Sequence, residues 1–342
     1  MTAHHGSLVR CSGRTVRYDR PMEDVTRTPE AASELAAFDR CMAHVRERAS
    51  GHVEGIHGPS SLTWEIMREP VALLGAPSAV LLQLAHPAIC DGVSRYSNFA
   101  TDYMGRARRT FTTMYDLIFG SMDLAFKAAR GLHAMHVRIR GTVDEPGSPW
   151  HGRAYRANEQ PLLRWVAVTL PVCVNAIFEQ TVRPLSPEER ERLYEEQRLG
   201  SALVGVLPET MPPTLAAFDA WYAEALLGPD LFVGDKARAL LRALEGGREN
   251  LGMRALSAAF LPPRLREGYG LAWGRKERAA FSAMMRLLRS ANRVTPRALR
   301  ATVAWHQANE RLAEATGRRP ATLDRAMGAL ARHMAIPTGM SR

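Results

Sequence analysis

The chain has 342 residues, of which 46% are hydrophobic and 23% are charged. This length suits one large domain or two ordinary ones, and the composition excludes a disordered or fibrous protein. The formal net charge is +10, but the basic residues are nearly all arginines interleaved with acidic residues, so we predict a solvated basic surface and no nucleic-acid partner. Weak attraction to anionic membranes or acidic partners stays open.

The N-terminal residues 1–27 are polar and rich in arginine, with no hydrophobic period and no apolar core of the kind that signal peptides carry. We therefore predict a loose tail over these residues and one all-α domain over residues 28–335. Cys90 and Cys173 lie in apolar runs typical of buried thiols. Since none of the four cysteines forms a short pair, we expect a reducing, cytoplasmic setting.

A first helix is predicted from Pro29 to about Arg48, because Thr28 supplies an N-cap and proline suits the first helical position. The loop that follows is rich in glycine and serine. It contains His52 and His57, which we expect to be exposed to solvent.

The most hydrophobic window, Val71–Cys90, is about long enough to cross a bilayer. Because Pro77 and Pro87 break it into two short helices, we predict a buried core segment and no membrane span. His86 falls at the C-terminal end of the first of these helices, where the helix dipole favours a protonated imidazole. A structural role and a pocket-lining role are both open for this residue.

Two amphipathic helices joined at Gly120 are predicted over residues 105–141. The second begins after the cap residue Ser121 and presents His136 on its apolar face. His133 lies one turn earlier. The other residues of that predicted face are Leu124, Ala128, Leu132, Met135 and Ile139.

The first of the two helices carries Arg106, Arg109 and Thr110 on adjoining positions. Together with His136 they offer an imidazole, two guanidiniums and a hydroxyl, groups that suit an anionic, metal-containing cofactor. A histidine on an apolar helix face is nevertheless more often a core residue, and both interpretations stay open at this point.

Residues 142–158 are predicted to form a hairpin or an extended lid, and Asn158 to cap a central apolar helix over 161–182 that is kinked at Pro171. Ser186 starts a further helix with a capping box. The remaining predicted helices cover 214–227, 234–244, 275–293 and 296–316. Because alternation of period two is almost absent, the predicted fold class is all-α.

The usual nucleotide, hydrolase and zinc motifs are missing from the sequence. No pair of acidic residues indicates general acid–base chemistry. An all-α chain of this kind is most compatible with chemistry brought by a cofactor.

Several blocks of the sequence resemble, in the same order, the family that contains the rubber oxygenase (latex clearing protein) catalytic domain and the fungal oxygenase MpaB. They are REPVALLGAPSAVLLQLAHPAICDGVSRYSNF, GRARRTFTTMYDLIFG, MHVRIRGTV, YRANEQPLLRWVAVTL, FEQTVRPLSPEERERLYEE and LPPRLREGYGLAW. The resemblance extends over about residues 60–300.

This resemblance implies an all-α protein with a globin-like core, additional C-terminal helices and haem b, which acts with dioxygen on carbon–carbon double bonds. It implies that His136 is the proximal iron ligand and that Arg106, Arg109 and Thr110 lie near the haem. His86 matches a family histidine without an assigned role. Ala167 stands where many relatives have a second histidine, and alanine can neither ligate iron nor donate a hydrogen bond.

The predicted function is therefore a cytoplasmic haem-b oxygenase that acts on a small apolar, alkene-bearing molecule such as a terpenoid. The alternative is a haem-free member of the family that binds an apolar ligand or a protein. The oligomeric state is left open.

Overall fold

The computed structural model describes residues 8–11, 14–17, 28–97, 102–245 and 250–333. Within these ranges the chain forms fifteen α-helices and two small antiparallel hairpins. The helices are α1 (Pro29–Arg48), α2 (Leu62–Met67), α3 (Ala76–Leu84), α4 (Pro87–Tyr96), α5 (Tyr103–Phe119), α6 (Met122–Val137), α7 (Gln160–Thr181), α8 (Pro187–Leu203), α9 (Leu215–Leu227), α10 (Asp235–Leu244), α11 (Leu251–Ala258), α12 (Pro263–Tyr269), α13 (Arg275–Val294), α14 (Val303–Ala315) and α15 (Thr322–His333).

The hairpins pair β1 (Leu8–Cys11) with β2 (Arg14–Arg17) and β3 (Arg140–Thr142) with β4 (Ala154–Arg156). Short 3-10 helices cover Pro70–Gly75, Pro208–Thr210 and Arg297–Arg300. The predicted all-α fold class is confirmed. Most of the predicted N-terminal tail lies outside the described residues, and the single-domain organisation stays a prediction.

Side-chain caps begin the helices where the sequence predicts them. Thr28 accepts a hydrogen bond from the Ala31 amide at the start of α1, and Ser121 accepts one from the Leu124 amide at the start of α6. Ser186 and Glu189 form the predicted capping box of α8. These interactions satisfy amides that have no partner inside the helix, which is why local sequence predicts helix starts well.

Two predicted helix starts are wrong. The N-cap of α7 is Glu159, and the Asn158 side chain turns instead towards α1 and α6. The last predicted helix does not begin after Thr295, because a separate 3-10 turn follows Pro296 and α14 starts at its own cap, Thr302. Helices α11, α12 and α15 were not predicted.

The apolar helix α7 lies at the centre of the fold, against α3, α8, α13 and the 3-10 helix Pro70–Gly75. Gly75 is required at the closest of these contacts. A Cβ atom on Gly75 would lie 2.4 Å from the carbonyl oxygen of Cys173, on α7. The absence of a side chain therefore lets two backbone segments touch.

Of the described helices, α7 alone is long and apolar enough to cross a membrane, and half of its most apolar window is buried inside the fold. The two helical stretches Pro70–Leu84 and Pro87–Tyr96 would pass the same test together, but they are bent by 105° at their junction. The predicted break of Val71–Cys90 into short helices is confirmed. Both stretches contribute residues to the hydrophobic core.

Candidate functional site

Helices α5 and α6 form the predicted pair, joined at Gly120. The side chain of Asp102 caps α5 by accepting a hydrogen bond from the Gly105 amide. At the other end of α5, the indole of Trp64 donates to the Ile118 carbonyl, and a guanidinium nitrogen of Arg311 donates to the Phe119 carbonyl at 2.7 Å. Because α2 and α14 hold the end of α5 in this way, the direction in which α6 leaves is fixed.

The buried face of α6 differs from the predicted one by about one residue. Met135, predicted to point inwards, is 50% exposed. The buried residues are Ala125, Phe126, Ala129, His133 and Val137. Phe126 and Ala129 pack with residues of α1 and α8. These contacts between helices decide which face of α6 is buried, and they outweigh the apolar side chains of the predicted face. His133 therefore lies within the packed face, and His136 lies at its edge.

His136 carries a neutral imidazole at neutral pH. The pKa of His136 is lowered to about 4, chiefly by burial and also by the neighbouring charges of His133 and Arg106, while the side chain of Asn158 acts in the opposite direction. The Nδ1 atom is buried without a well-formed hydrogen bond, and the residue as a whole is partly exposed. A neutral imidazole is the form that ligates iron.

Asn158 is the residue of this site that sequence reasoning did not identify. Its Oδ1 atom is buried without a partner, as is Nδ1 of His136. Its Nδ2 atom makes long hydrogen bonds of 3.4 Å to Oε2 of Glu34 and to the carbonyl oxygen of His133. Glu34 in turn pairs with Arg156, at 2.9 Å. No local sequence signal joins these residues, because they come from α1, α6 and the connection between β4 and α7.

His133 is a core residue. Its ring stacks on that of Phe38 in α1, with the centroids 4.4 Å apart and the planes 18° from parallel. Burial lowers its pKa, and its Nε2 atom is buried without a partner. The stacking contact gives this ring a structural role in joining α1 to α6.

The three predicted residues of α5 lie in different environments. Arg106 is half-buried, donates a hydrogen bond of 3.1 Å to the hydroxyl of Ser97, and is near enough to His136 to lower the pKa of the imidazole. Arg109 is 58% exposed and pairs with Asp102 at 3.4 Å. Thr110 is exposed. The structure thus brings Arg106 together with His136, and leaves the other two on the outer side of the helix.

His86 is buried in a second environment. Its ring lies 4.6 Å from that of Trp150, whose indole nitrogen donates to Asp230. Burial lowers the pKa of His86 to about 4, although the charge of Asp230 raises it. The predicted protonated imidazole is therefore wrong, because loss of solvent outweighs the helix dipole. His57 is also buried, contrary to the prediction, and His52 is exposed as predicted.

A buried ion network fixes the β3–β4 hairpin beside His86. The Asp91 carboxylate accepts hydrogen bonds from Lys236 and Arg95, each at 2.6 Å, and from the hydroxyl of Tyr155 at 2.9 Å. Burial alone would raise the pKa of Asp91, but these three donors outweigh it and lower the pKa. The network joins α4, α10 and β4.

Ala167 lies on α7, partly buried in an apolar cluster that includes Leu163, Tyr194 and Phe218. It also lines a small gap with residues of α8 and α9. A longer side chain at this position would extend into that gap, towards α8 and α9. The surroundings described for Ala167 thus differ from those of His136, which include Asn158 and Arg106.

In the described part of the chain, no three His, Cys, Asp or Glu residues come together as a site for a bare metal ion. The candidate site offers the neutral imidazole of His136, and one such donor suits a metal whose other ligands come from a macrocycle. His136, with Asn158 behind it and Arg106 beside it, is therefore compatible with haem.

Comparison with known proteins gives two mycobacterial relatives, uncharacterized proteins of Mycobacterium bovis and of Mycobacterium tuberculosis. Each is 27% identical to this chain over 234 residues, which is 64% of this chain and 87% of the relative. No solved structure matches the chain significantly. The family described as ER-bound oxygenase mpaB/B'/Rubber oxygenase, catalytic domain, matches residues 64–290, well over half of the chain. The chain therefore belongs to this oxygenase family.

Proposed function

We propose that this protein is a haem-b-dependent oxygenase that oxidises a small apolar, alkene-bearing substrate of the terpenoid type with dioxygen. Membership of the oxygenase family supports the reaction class. The observation that carries the proposal is the partly buried, neutral imidazole of His136, which lies beside Asn158 and whose Nδ1 atom is enclosed without a well-formed hydrogen bond.

His136 would hold the iron through Nε2. A proton on Nδ1 needs an acceptor, and the unpartnered Oδ1 of Asn158 supplies one, so that a small shift of either side chain would fix the tautomer that leaves Nε2 free. Haem bound here would supply an iron centre able to activate dioxygen. The protein residues would orient the imidazole of His136 and keep it neutral.

Arg106 would neutralise an anionic group of the cofactor, since its guanidinium lies near His136 and is only half exposed. We assign Arg109 and Thr110 to the outer edge of the site, where solvent and substrate enter, because both are exposed on the same helix. His86 is proposed as a pocket-lining residue, held by its contact with Trp150.

The proposed setting is the cytoplasm. Cys41, Cys90 and Cys173 are free and buried, and burial raises the pKa of the Cys41 thiol to about 11 and that of the other two to about 12. Such thiols are inert packing groups and need no oxidising compartment.

The test is the visible spectrum of protein expressed with a haem precursor, oxidised and reduced, for the wild type, His136→Ala and His133→Ala. A Soret band of near-stoichiometric haem b that is lost in His136→Ala and kept in His133→Ala is the expected result. His133→Ala is the matched control, because this ring lies on the same helix and stacks on Phe38. Haem retained in His136→Ala would show that another residue ligates the iron.

A haem-free family member that binds an apolar ligand or a protein is the second candidate. The exposure of Arg109 and Thr110 favours it, because residues that the family resemblance assigns to the haem side face solvent here. Wild-type protein that stays colourless after reconstitution with haem would select this function over the oxygenase.

A further inference from the structure

The positive charge of this protein is concentrated in one C-terminal segment. Residues 275–300 contain eight basic residues and one acidic residue, a net charge of +7, whereas the whole chain has +10. Arg300 pairs with Glu69 at 2.9 Å, and within the described residues the other seven basic side chains form no ion pair. The interleaving of basic with acidic residues that the sequence analysis describes does not hold for this segment.

The same segment exposes three large aliphatic side chains. Leu287 is 70% exposed, Val294 is 82% exposed and Leu299 is 66% exposed. Leu287 and Val294 are seven residues apart on α13, so they share one face, opposite the buried pair Phe281 and Met285. Apolar side chains beside a row of arginines are typical of helices that lie at the surface of a membrane.

An open cavity of about 390 Å³ lies at the end of this apolar face, where α13 meets the end of α7 and the 3-10 turn Arg297–Arg300. Four arginines line it, and none of the lining residues is acidic: Val182, Arg183, Asn292, Arg293, Val294, Thr295, Pro296, Arg297 and Arg300.

The four arginines differ in their partners. Arg183 is held by ion pairs of 2.8 Å to Glu65 and Glu189, so its position is fixed by α2 and α8. Arg293 and Arg297 are exposed, and neither forms an ion pair in the described ranges, although Arg297 lies near enough to Glu65 and Glu69 to lower the pKa of both carboxyl groups. Two guanidiniums held in ion pairs and two exposed guanidiniums around a cavity of this size suit a phosphate group.

We propose that residues 275–300 bind the surface of an anionic phospholipid membrane, with a headgroup phosphate in the arginine cavity and with Val294 and Leu299 in the acyl boundary. The exposed aliphatic residues favour a membrane over a nucleic acid, whose phosphate backbone would leave them in water. A second copy of the chain is disfavoured because two surfaces of +7 would repel each other. The proposal does not depend on the oxygenase assignment.

The experiment is co-sedimentation of the full chain with vesicles of phosphatidylcholine alone and of phosphatidylcholine mixed with phosphatidylglycerol. We expect binding to the mixed vesicles only. The double variant Arg293→Glu/Arg297→Glu should bind at least tenfold more weakly, because each basic residue near an anionic surface adds roughly fivefold. Arg183 and Arg300 are left intact, since their ion pairs stabilise the fold.

A second variant separates the contribution of the apolar side chains to membrane binding from that of the positive charge. Val294→Ser/Leu299→Ser keeps the charge and should weaken binding by about tenfold, since two apolar side chains lose their burial in the acyl boundary. The control Lys127→Glu/Arg242→Glu makes the same change of net charge at exposed positions of α6 and α10 and should bind like wild type within about twofold. Far-UV circular dichroism and thermal melting confirm that each variant is folded.

Three results would overturn the proposal. One is wild-type protein that stays in the supernatant with the anionic vesicles. Another is equal weakening of binding by the control pair, which would show an unspecific effect of total charge. The third is binding to duplex DNA at least as tight as to vesicles, unaffected by Val294→Ser/Leu299→Ser. That result would assign the surface to nucleic acid.

Discussion

The side chain of Asn158 lies close enough to the imidazole of His136 to raise its pKa as a hydrogen-bonding neighbour, yet Oδ1 of the amide and Nδ1 of the ring are both buried without a well-formed hydrogen bond. Two such atoms are costly to leave unsatisfied, at about 1–3 kcal/mol each. A hydrogen bond between them would satisfy both and would orient the ring. Asn158 is thus a positioning residue for His136.

Replacing Asn158 should change the affinity for haem and the reduction potential of the bound haem, and not only the stability of the fold. Asn158→Leu is expected to weaken haem binding by roughly 10- to 100-fold, as for other residues that orient a ligating histidine. Asn158→Asp should lower the reduction potential, because a carboxylate makes the imidazole a stronger electron donor. Titration with haem measures the affinity of Asn158→Leu, and spectroelectrochemical titration of reconstituted protein measures the reduction potential of Asn158→Asp. An unchanged reduction potential in Asn158→Asp would contradict the proposed contact between Asn158 and His136.

The stability of the haem-free protein should fall between pH 6.5 and pH 4. Burial lowers the pKa of His57, His86 and His136 to about 4, compared with 6.5 for an exposed histidine. Below pH 6.5 these histidines bind protons in the unfolded chain but stay neutral in the folded chain. The free energy of unfolding is therefore highest above pH 6.5 and drops as the pH falls. Each histidine contributes up to about 3 kcal/mol.

Urea unfolding at several pH values tests this dependence. His86→Gln should lose its share of the slope relative to wild type. Identical slopes for His86→Gln and wild type would show that His86 is not neutral in the folded protein.

Asp91→Asn should destabilise the fold by about 3 kcal/mol, because it leaves Lys236 and Arg95 beside a neutral amide at a buried position. Asp235→Asn is the matched control. Asp235 also pairs with an arginine, but its side chain is almost fully exposed, and the expected loss is below about 1 kcal/mol. Chemical denaturation measures the free energy of unfolding of both variants. Equal losses would mean that the Asp91 network adds no more than a surface pair.

Gly75→Ala should destabilise the protein by about 2 kcal/mol or more, because the new methyl group would lie 2.4 Å from the backbone of α7. Gly131→Ala on α6 is the opposite case. No atom lies within 4 Å of a Cβ built there, so alanine should stabilise the helix by about 1 kcal/mol. Melting temperatures that shift in the same direction for both variants would contradict the close contact at Gly75.

Ala167→His should leave the axial ligand of reconstituted haem unchanged, because the space beside Ala167 lies towards Tyr194 and Phe218. The cost of the larger side chain should appear as a loss of about 1–3 kcal/mol in stability. The Soret and visible bands, recorded with and without the substitution, are the readout. A second histidine ligand in the spectrum would place residue 167 at the iron.

The helix starts show where prediction from sequence succeeds. Thr28, Ser121 and Ser186 cap helices through contacts within four residues, and the sequence therefore predicts these helices, their order and the all-α class. Asn158 shows where it fails. Its amide can cap the next helix or reach across the chain, and only the packing of α1 and α6 decides between the two.

The sequence by itself determined the fold class, the family and the candidate histidines, because helical periodicity, caps and motif order are local properties of the chain. The tertiary structure decided that His133 stacks in the core while His136 lies at the edge of the packed face, that Arg106 but not Arg109 approaches it, and that His86 is neutral. These outcomes depend on burial and on contacts between residues far apart in the chain. A rotation of α6 by about one residue is enough to exchange a core position for a site position, and only the packing of neighbouring helices fixes that rotation.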